Sequence, residues 1–205
     1  MLESNDLLRL SDRHIIEATN VFTEAFMDYP LFKYMVEDSS ARSSIYPHFF
    51  RLMVKHTIRF GWAYTTSENM EGIALWLPGE RSDISLWSNL TNGAIDLLLA
   101  AGLRIAYRSM VFTEFDSKLH HEVINRPHIY LFQIGVKKKH RGKGYARKLM
   151  RPMMAHADSE EKPIYLETHD ESNLSVYRHY QFETIRHEKI PGSDVNHWAM
   201  IRTPQ

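Results

Sequence analysis

Apolar residues recur at helical spacing across residues 12–29, at Ile15, Ile16, Ala18, Val21, Phe22, Ala25 and Phe26. Pro30 ends or bends that helix, because a proline ring fixes φ and restricts the residue before it. A short strand is expected over Leu7–Leu10 and a second helix over Ser39–Phe60, carrying Ile45, Phe49, Leu52, Met53 and Ile58. Residues 61–66 and 72–78 alternate around a polar turn at Ser67-Glu68-Asn69 and predict a hairpin. Residues 79–126 read as one or two helices, with Leu97, Leu98, Leu99, Leu103, Ile105 and Ala106 as core candidates and Asn125-Arg126-Pro127 as the stop. His128–Val136 has the composition of a strand, and Lys137–Gly144 that of a basic loop punctuated by glycine. From Tyr145 to Glu160, Ala146, Leu149, Met150, Met153, Met154 and Ala157 mark one face of an amphipathic helix, with a kink expected at Pro152. Pro163–Thr168 is a strand, Asn173–Gln181 a short helix, and Phe182–Ile190 and His197–Arg202 are closing strands about a turn at Pro191–Asp194. Helices interleaved with strands predict a mixed α/β sheet with helices on its faces.

Composition narrows the function classes. The chain has 205 residues, a length suited to one domain over 1–205. A 43% hydrophobic and 24% charged mix excludes wholesale disorder. Lys plus Arg equals Asp plus Glu at 25 each, which argues against a surface built for nucleic acid or an anionic membrane. The absence of cysteine removes disulfides, thiolate metal sites and a cysteine nucleophile. The start, MLESNDLLRL, lacks the basic and apolar regions of a secretory signal, and Leu97–Leu103 is far shorter than the ~20 residues of a spanning helix. A cytoplasmic location is expected. His120-His121-Glu122 and His187-x-Glu lack the i, i+4 histidine pair of H-E-x-x-H, so no metal is expected.

The segment 128–157 has the form of an anion site: a strand, a loop with Gly142 and Gly144, then a helix start. Glycines let backbone N–H groups approach an anion, and a helix N-terminus adds free donors and partial positive charge. Lys137, Lys138, Lys139, Arg141, Lys143, Arg147 and Lys148 surround the loop. A phosphate or pyrophosphate suits it; taken alone, so does a solvated basic helix start, and less well a nucleic acid. Lys137 and Gly144 occupy places where an ATP-binding P-loop needs glycine and Ser or Thr, and Arg147 replaces the third glycine of a dinucleotide fingerprint. The pattern R-x-x-G-x-A, at Arg141, Gly144 and Ala146, resembles the pyrophosphate loop of the GCN5-related N-acetyltransferases (GNAT family). Asn173 to Phe182 resembles that family's N-x-x-x-Y-x-x-x-G-F element, with Gln181 at the glycine position. Ala25–Pro30, Ile73–Trp76, Phe132–Val136, Tyr165–Thr168 and Asn196–Met200 extend the likeness, toward the branch that includes the puromycin N-acetyltransferases.

The resemblance implies a GNAT fold: a central, mostly antiparallel sheet splayed between the strand before the glycine loop and the strand after its helix, with a helical insertion around 79–126. It implies acetyl-CoA as co-substrate, no metal, and acetyl transfer to a primary amine of a small molecule, antibiotic-like or amino-acid-derived. A non-catalytic acyl-CoA-binding module and a peptide or protein N-acetyltransferase are the alternatives. No nucleic-acid or membrane partner is implied, and the state is monomer or homodimer. Arg141, Gly142, Lys143, Gly144, Tyr145 and Ala146 would hold the pyrophosphate, with Asn173 also on the cofactor. Backbone groups of Ile134 and Val136 would hold the pantetheine arm, and a bulge at Gly135 would free an N–H for the oxyanion. Tyr177, one turn after Asn173, is the candidate general acid.

The strand before the loop offers Gln133 where many relatives place a carboxylate, so the base is sought elsewhere. Glu167, sharing a strand face with Tyr165 and His169, is the first candidate and His169 the second. Asp28 and Tyr29 are candidate walls of the acceptor pocket. Trp62, Trp76, Trp198 and the Met150, Met153, Met154 stripe read as core. Gln181 would cost about 1 kcal/mol if it keeps the left-handed conformation that glycine usually supplies there.

Overall fold

The computed structural model describes residues 7–82 and 94–205, and side chains from residue 102 onward in the second stretch. The strands are β1 (Leu8–Arg9), β2 (Trp62–Thr65), β3 (Gly72–Pro78), β4 (Ile129–Val136), β5 (Ile164–Thr168), β6 (Glu183–Lys189) and β7 (Asn196–Arg202). They form one sheet in the order β1-β2-β3-β4-β5-β7-β6. Every neighbouring pair is antiparallel except β4–β5. The helices are α1 (Ile15–Phe26), α2 (Pro30–Met35), α3 (Arg42–Phe60), α4 (Ala94–Val123), α5 (Tyr145–Ser159) and α6 (Ser172–His179).

Period-two alternation in β3 divides the core. Ile73 and Leu75 join the cluster built with Val21, Phe22, Phe26, Phe32, Phe50 and Val54 of α1–α3. Ala74 and Trp76 point the other way, into the cluster under α5 with Leu149, Met150 and Met153. Leu77 belongs to a third cluster, where Leu119 of α4 packs on Tyr130 and Tyr165. The methionine stripe is therefore core, as are Trp76 and Trp198, while Trp62 packs half-buried at the edge of the same cluster.

Several expectations shift. Pro30 does not merely end α1: it is the first residue of α2, where its missing N–H costs nothing. Helix α5 continues from Tyr145 to Ser159 through Pro152. Leu103, expected in the core, is 86% exposed. Gly102, at φ 73° and ψ 172°, breaks the helical geometry of α4 immediately before it. Ile105 does pack on the α1–α3 core, and the side chains of Leu97, Leu98 and Leu99 lie outside the described residues. The β4 bulge falls at Phe132, the residue skipped where Leu131 faces Trp76 and Gln133 faces Leu75, not at Gly135. Gly135 answers a different need, because a Cβ there would sit 3.1 Å from the Phe22 ring and 3.2 Å from Ala25 Cβ on α1.

Gln181 has φ 67°, so the left-handed turn is kept without glycine. The Phe182 N–H donates to the Tyr177 carbonyl (3.1 Å) and the Gln181 N–H to that of Arg178 (2.9 Å), the two bonds of a Schellman cap. The apolar contact that goes with such a cap is the Tyr177–Phe182 ring pair, with centroids 5.9 Å apart. The cap thus fixes the ring of Tyr177. Gln181→Gly is expected to stabilise the protein by about 1 kcal/mol, read as an increased urea midpoint at unchanged slope.

Candidate active site

Strands β4 and β5 pair only at Ile129–Ile164 and Tyr130–Tyr165, and then part. Beyond that point β4 stays bonded to β3 as far as Val136, and β5 to β7 as far as Thr168. The backbone edges facing each other across the gap have no strand partner, and the gap opens a wedge inside the sheet. A right-handed β-α-β crossover through α5 requires the parallel pair at its base. The splay expected between these strands is present.

The loop after β4 is held in place before any ligand arrives. Gly142 and Gly144 have φ 74° and 82°, and nothing lies within 4 Å of where a Cβ would project from either. Gly144 caps α5, so the free N–H groups of that helix's first turn face the same open space. Three basic residues tie the loop to α1 and its C-terminal end. Lys137 Nζ meets Glu17 (3.3 Å), the Lys138 N–H donates to Glu24 (2.9 Å), and Lys138 Nζ meets Asp28 (2.8 Å). Arg141 donates to the carbonyls of Ala25 (2.7 Å) and Val136 (3.3 Å).

The wedge holds a cavity with two lobes that share Phe26, Tyr29, Ile134, Asn173 and Tyr177. The outer lobe, about 330 Å³, is lined by Ile134, Gly135, Val136, Arg141 and Ala146. Asp28 belongs to this lobe, exposed and paired with Lys138, so it does not wall the inner one. Lys143 and Tyr145 are not among the lining residues, and Tyr145 stands edge-on to His140 instead. The inner lobe, about 100 Å³, is walled by Phe26, Phe112, Tyr130 and Phe132 and carries Asp116, Glu167 and His169. Among the described residues no lysine or arginine lines it.

Tyr29 lies in the shared wall, but its hydroxyl is engaged: it accepts the His169 N–H (2.8 Å) and bonds Thr168 Oγ1 (3.1 Å). Asn173 Nδ2 donates to the same Thr168 oxygen (3.1 Å), so α6 is clamped to the end of β5. Burial pushes the Tyr29 phenol up to about 12. Burial also pushes the Tyr177 phenol above its ordinary value, with the negative charges available to Tyr29 and Glu167 adding to the effect. Tyr177 therefore holds its proton at neutral pH.

Glu167 is buried, accepts a 2.7 Å hydrogen bond from Tyr130 and lies 3.8 Å from His120 Nδ1. Burial, then the Asp116 carboxylate, raise its carboxyl well above the usual range, against the pull of the Tyr130 hydrogen bond. The sign for stability follows. A carboxyl raised by folding contributes stability below its unfolded value near 4.5, and loses it as pH climbs through the folded value. Glu167→Gln escapes that loss, so its melting temperature is expected to equal or exceed wild type at pH 8, with the advantage vanishing near pH 4. Paired thermal melts at the two pH values check this.

Asp116, His120, Tyr130 and His197 were not singled out from sequence. Asp116 carried a signal: it falls four residues after Phe112 and three before Leu119, which puts a carboxylate on the buried stripe of α4. His120 had been passed over with the metal motifs, yet it stacks on Tyr165 with centroids 4.0 Å apart. Among the described residues no cluster suited to a metal ion is present.

A splayed sheet with a glycine-capped helix start at one end of the wedge and an aromatic-walled lobe at the other is the arrangement expected of a GNAT fold. The "Acetyltransferase (GNAT) family" profile matches residues 104–182. An uncharacterised N-acetyltransferase of Schizosaccharomyces pombe is 30% identical over 96% of this chain and 83% of its own. The chain belongs to the GNAT acetyltransferase family. Among solved structures, one described as histone acetyltransferase HPA2 and related acetyltransferase, from Corynebacterium glutamicum, superposes with a TM-score of 0.68 at 20% identity, covering 97% of this chain and 96% of its own. Arylalkylamine N-acetyltransferase 2 of Aedes aegypti superposes with a TM-score of 0.58 at 12% identity, over 97% and 98% of the two chains. No helix among the described residues is long and apolar enough to cross a membrane.

Proposed function

We propose that the protein transfers the acetyl group of acetyl-CoA to the primary amine of a compact, cationic small molecule. One observation carries this reading: the two-lobed wedge, with an anion-suited loop beside the outer lobe and acidic groups among aromatic walls in the inner one. The pyrophosphate lies over Gly142, Gly144 and the first turn of α5, where open space and free N–H groups coincide. Arg141, Lys143, Tyr145 and Ala146 surround that point. The unpaired edge of β4 at Ile134 and Val136 receives the pantetheine amides as an added strand would. The thioester supplies an activated acyl group, and the protein's own residues do the rest.

The acceptor ammonium enters the inner lobe beside Asp116 and Glu167. Burial and the Asp116 carboxylate raise the Glu167 carboxyl, and a cation seated beside them favours its charged form. This reading recasts Glu167. A carboxyl that already holds its proton is a poor base, so its part is to hold the ammonium with Asp116 while aromatic walls exclude water. Tyr177, whose phenol is protonated and stands where the lobes meet, donates to the departing CoA thiolate. Asn173 steadies the end of β5 next to it.

An inner lobe of about 100 Å³ walled by aromatic rings has room for a small amine and not for a folded-over peptide segment. The test is a panel of alkyl, arylalkyl and amino-acid-derived amines with acetyl-CoA, the released CoA read by a thiol reagent. Because the protein has no cysteine, it adds no background. Turnover confined to cationic amines supports the reading. Acetyl-CoA binding with no turnover on any amine or peptide would leave a binding module in its place.

A further inference from the structure

His169 ends β5 and stands at a partition. It lines the inner lobe on one side. On the other it lines an open groove formed by Lys33, Arg42, Asp170, Glu171 and Trp198. Among the described residues it is the one residue that lines both spaces. The ring is 8% exposed and held from three elements. Tyr29, ahead of α2, meets it edge-on at 5.9 Å; Phe112 of α4 at 5.6 Å; and His197 of β7 at 4.9 Å. Its Nε2 is 3.1 Å from His197 Nδ1, which in turn is 3.8 Å from Asp116 Oδ1. His197 is fully buried. Nothing in the proposed binding roles requires two buried histidines in contact.

We propose that His169 is the proton acceptor for the acceptor ammonium and passes that proton to the open groove, with His197 as its positioning residue. The inference rests on the amine-acetylation reading above. Nε2–H of His169 donates to His197 Nδ1, which leaves the lone pair on Nδ1 of His169. An N–H bond of the bound ammonium breaks and its proton joins that lone pair, giving a free amine and an imidazolium. The free amine attacks the thioester carbon. The imidazolium then loses the same proton to water in the groove and returns to neutral. Proton count balances over the cycle: the ammonium gives up one to solvent through His169, Tyr177 delivers one to the thiolate, and the second proton, lost by the nitrogen as the amide forms, returns to the Tyr177 phenolate. Burial and the neighbouring His197 hold His169 well below the ordinary histidine value, so the ring is neutral and able to accept at pH 7. The titratable groups facing it are Asp116 from α4, His197 from β7, Tyr29 from the α1–α2 corner, and Glu167 and Asp170 from its own strand and loop. The same burial makes the imidazolium short-lived, as a relay needs.

The test uses the full chain and an amine that the wild type acetylates. In His169→Ala, kcat is expected to fall about 10²-fold while acetyl-CoA affinity, by calorimetry, stays within a factor of two. Added imidazole is expected to restore part of the lost turnover, saturably, in proportion to its neutral form. The loss is expected to be greatest for amines of high pKa and small for weakly basic aromatic amines, which arrive unprotonated. His197→Phe is expected to lower kcat less and to shift the acidic limb of the pH profile. If the alanine variant does not fold, His169→Gln keeps the volume and takes its place for the amine series. Wild-type kcat in either variant overturns the assignment. So does a loss that imidazole does not relieve and that is equal for strong and weak bases. Absence of wild-type turnover on every amine would instead overturn the functional reading on which the relay depends.

Discussion

Gly144→Glu is expected to abolish acetyl-CoA binding in a chain that still folds. Gly144 has φ 82° and is the cap of α5, and no atom lies within 4 Å of the position its Cβ would take. A Cβ there meets no neighbouring atom. It projects into the space that the free N–H groups of the helix start address. A left-handed L-residue costs about 1–2 kcal/mol, a bearable loss for a domain of this size. The carboxylate then does two kinds of damage: it fills the anion's place, and it brings negative charge to the donors meant for phosphate. Losing two charge-assisted hydrogen bonds is worth about 3–4 kcal/mol, or at least 10²-fold in affinity. Gly144→Ala separates the effects, since it carries the backbone strain without the charge. Calorimetry should show near-total loss for the glutamate and a modest loss for alanine, with both variants melting cooperatively. Equal, wild-type-like affinity in a folded glutamate variant would remove the pyrophosphate from this loop.

Tyr177→Phe is expected to lower kcat by about 10²-fold and leave acetyl-CoA affinity nearly unchanged. The phenol stands at the junction of the two lobes, where a thiolate would depart. Its ring is seated by Phe182 through the Schellman cap of α6, and that contact survives the substitution because it uses the ring face and edge rather than the hydroxyl. A phenol pushed above its ordinary value keeps its proton through the working range, so no fall in wild-type activity from its ionisation is expected below about pH 9. Single-turnover measurements place the effect on the chemical step. An unchanged single-turnover rate would show that solvent protonates the thiolate.

The pieces legible in the sequence are those encoded locally. Helical spacing placed α1, α3 and α5; alternation and punctuating glycines placed β3, β4 and the loop; Asn173 and Tyr177 announced a ligand-facing turn of α6. Gln181 shows how far local reasoning reaches: the conformation was dictated by the cap, and the residue adopted it against its preference. The inner lobe was only half legible, because its groups come from the middle of α4 and the ends of β5 and β7. Asp116, His197 and His169 are far apart in sequence and meet only because β5 pairs with β7 and α4 lies across both. Residue type alone ranked His120 and His197 with the structural histidines. The bulge at Phe132 was placed at Gly135 for a like reason: a glycine in a strand signals either irregular pairing or a close neighbour, and the sequence does not show that α1 presses there.

The pairing of β4 with β5 at two residue pairs has a mechanical meaning. The sheet is bound like a book whose spine is two residues long, with β1–β4 as one cover and β5–β7 as the other. Those two pairs are the whole ladder between the covers among the described residues, and the cluster under α5 bridges the covers on one face. Tyr130 and Tyr165 are on that spine, and Tyr130 also grips Glu167 at the bottom of the gap. Any change in opening angle is thereby felt as a change in where that carboxyl sits. The width available at the mouth and the position of the Glu167 carboxyl are linked through Tyr130.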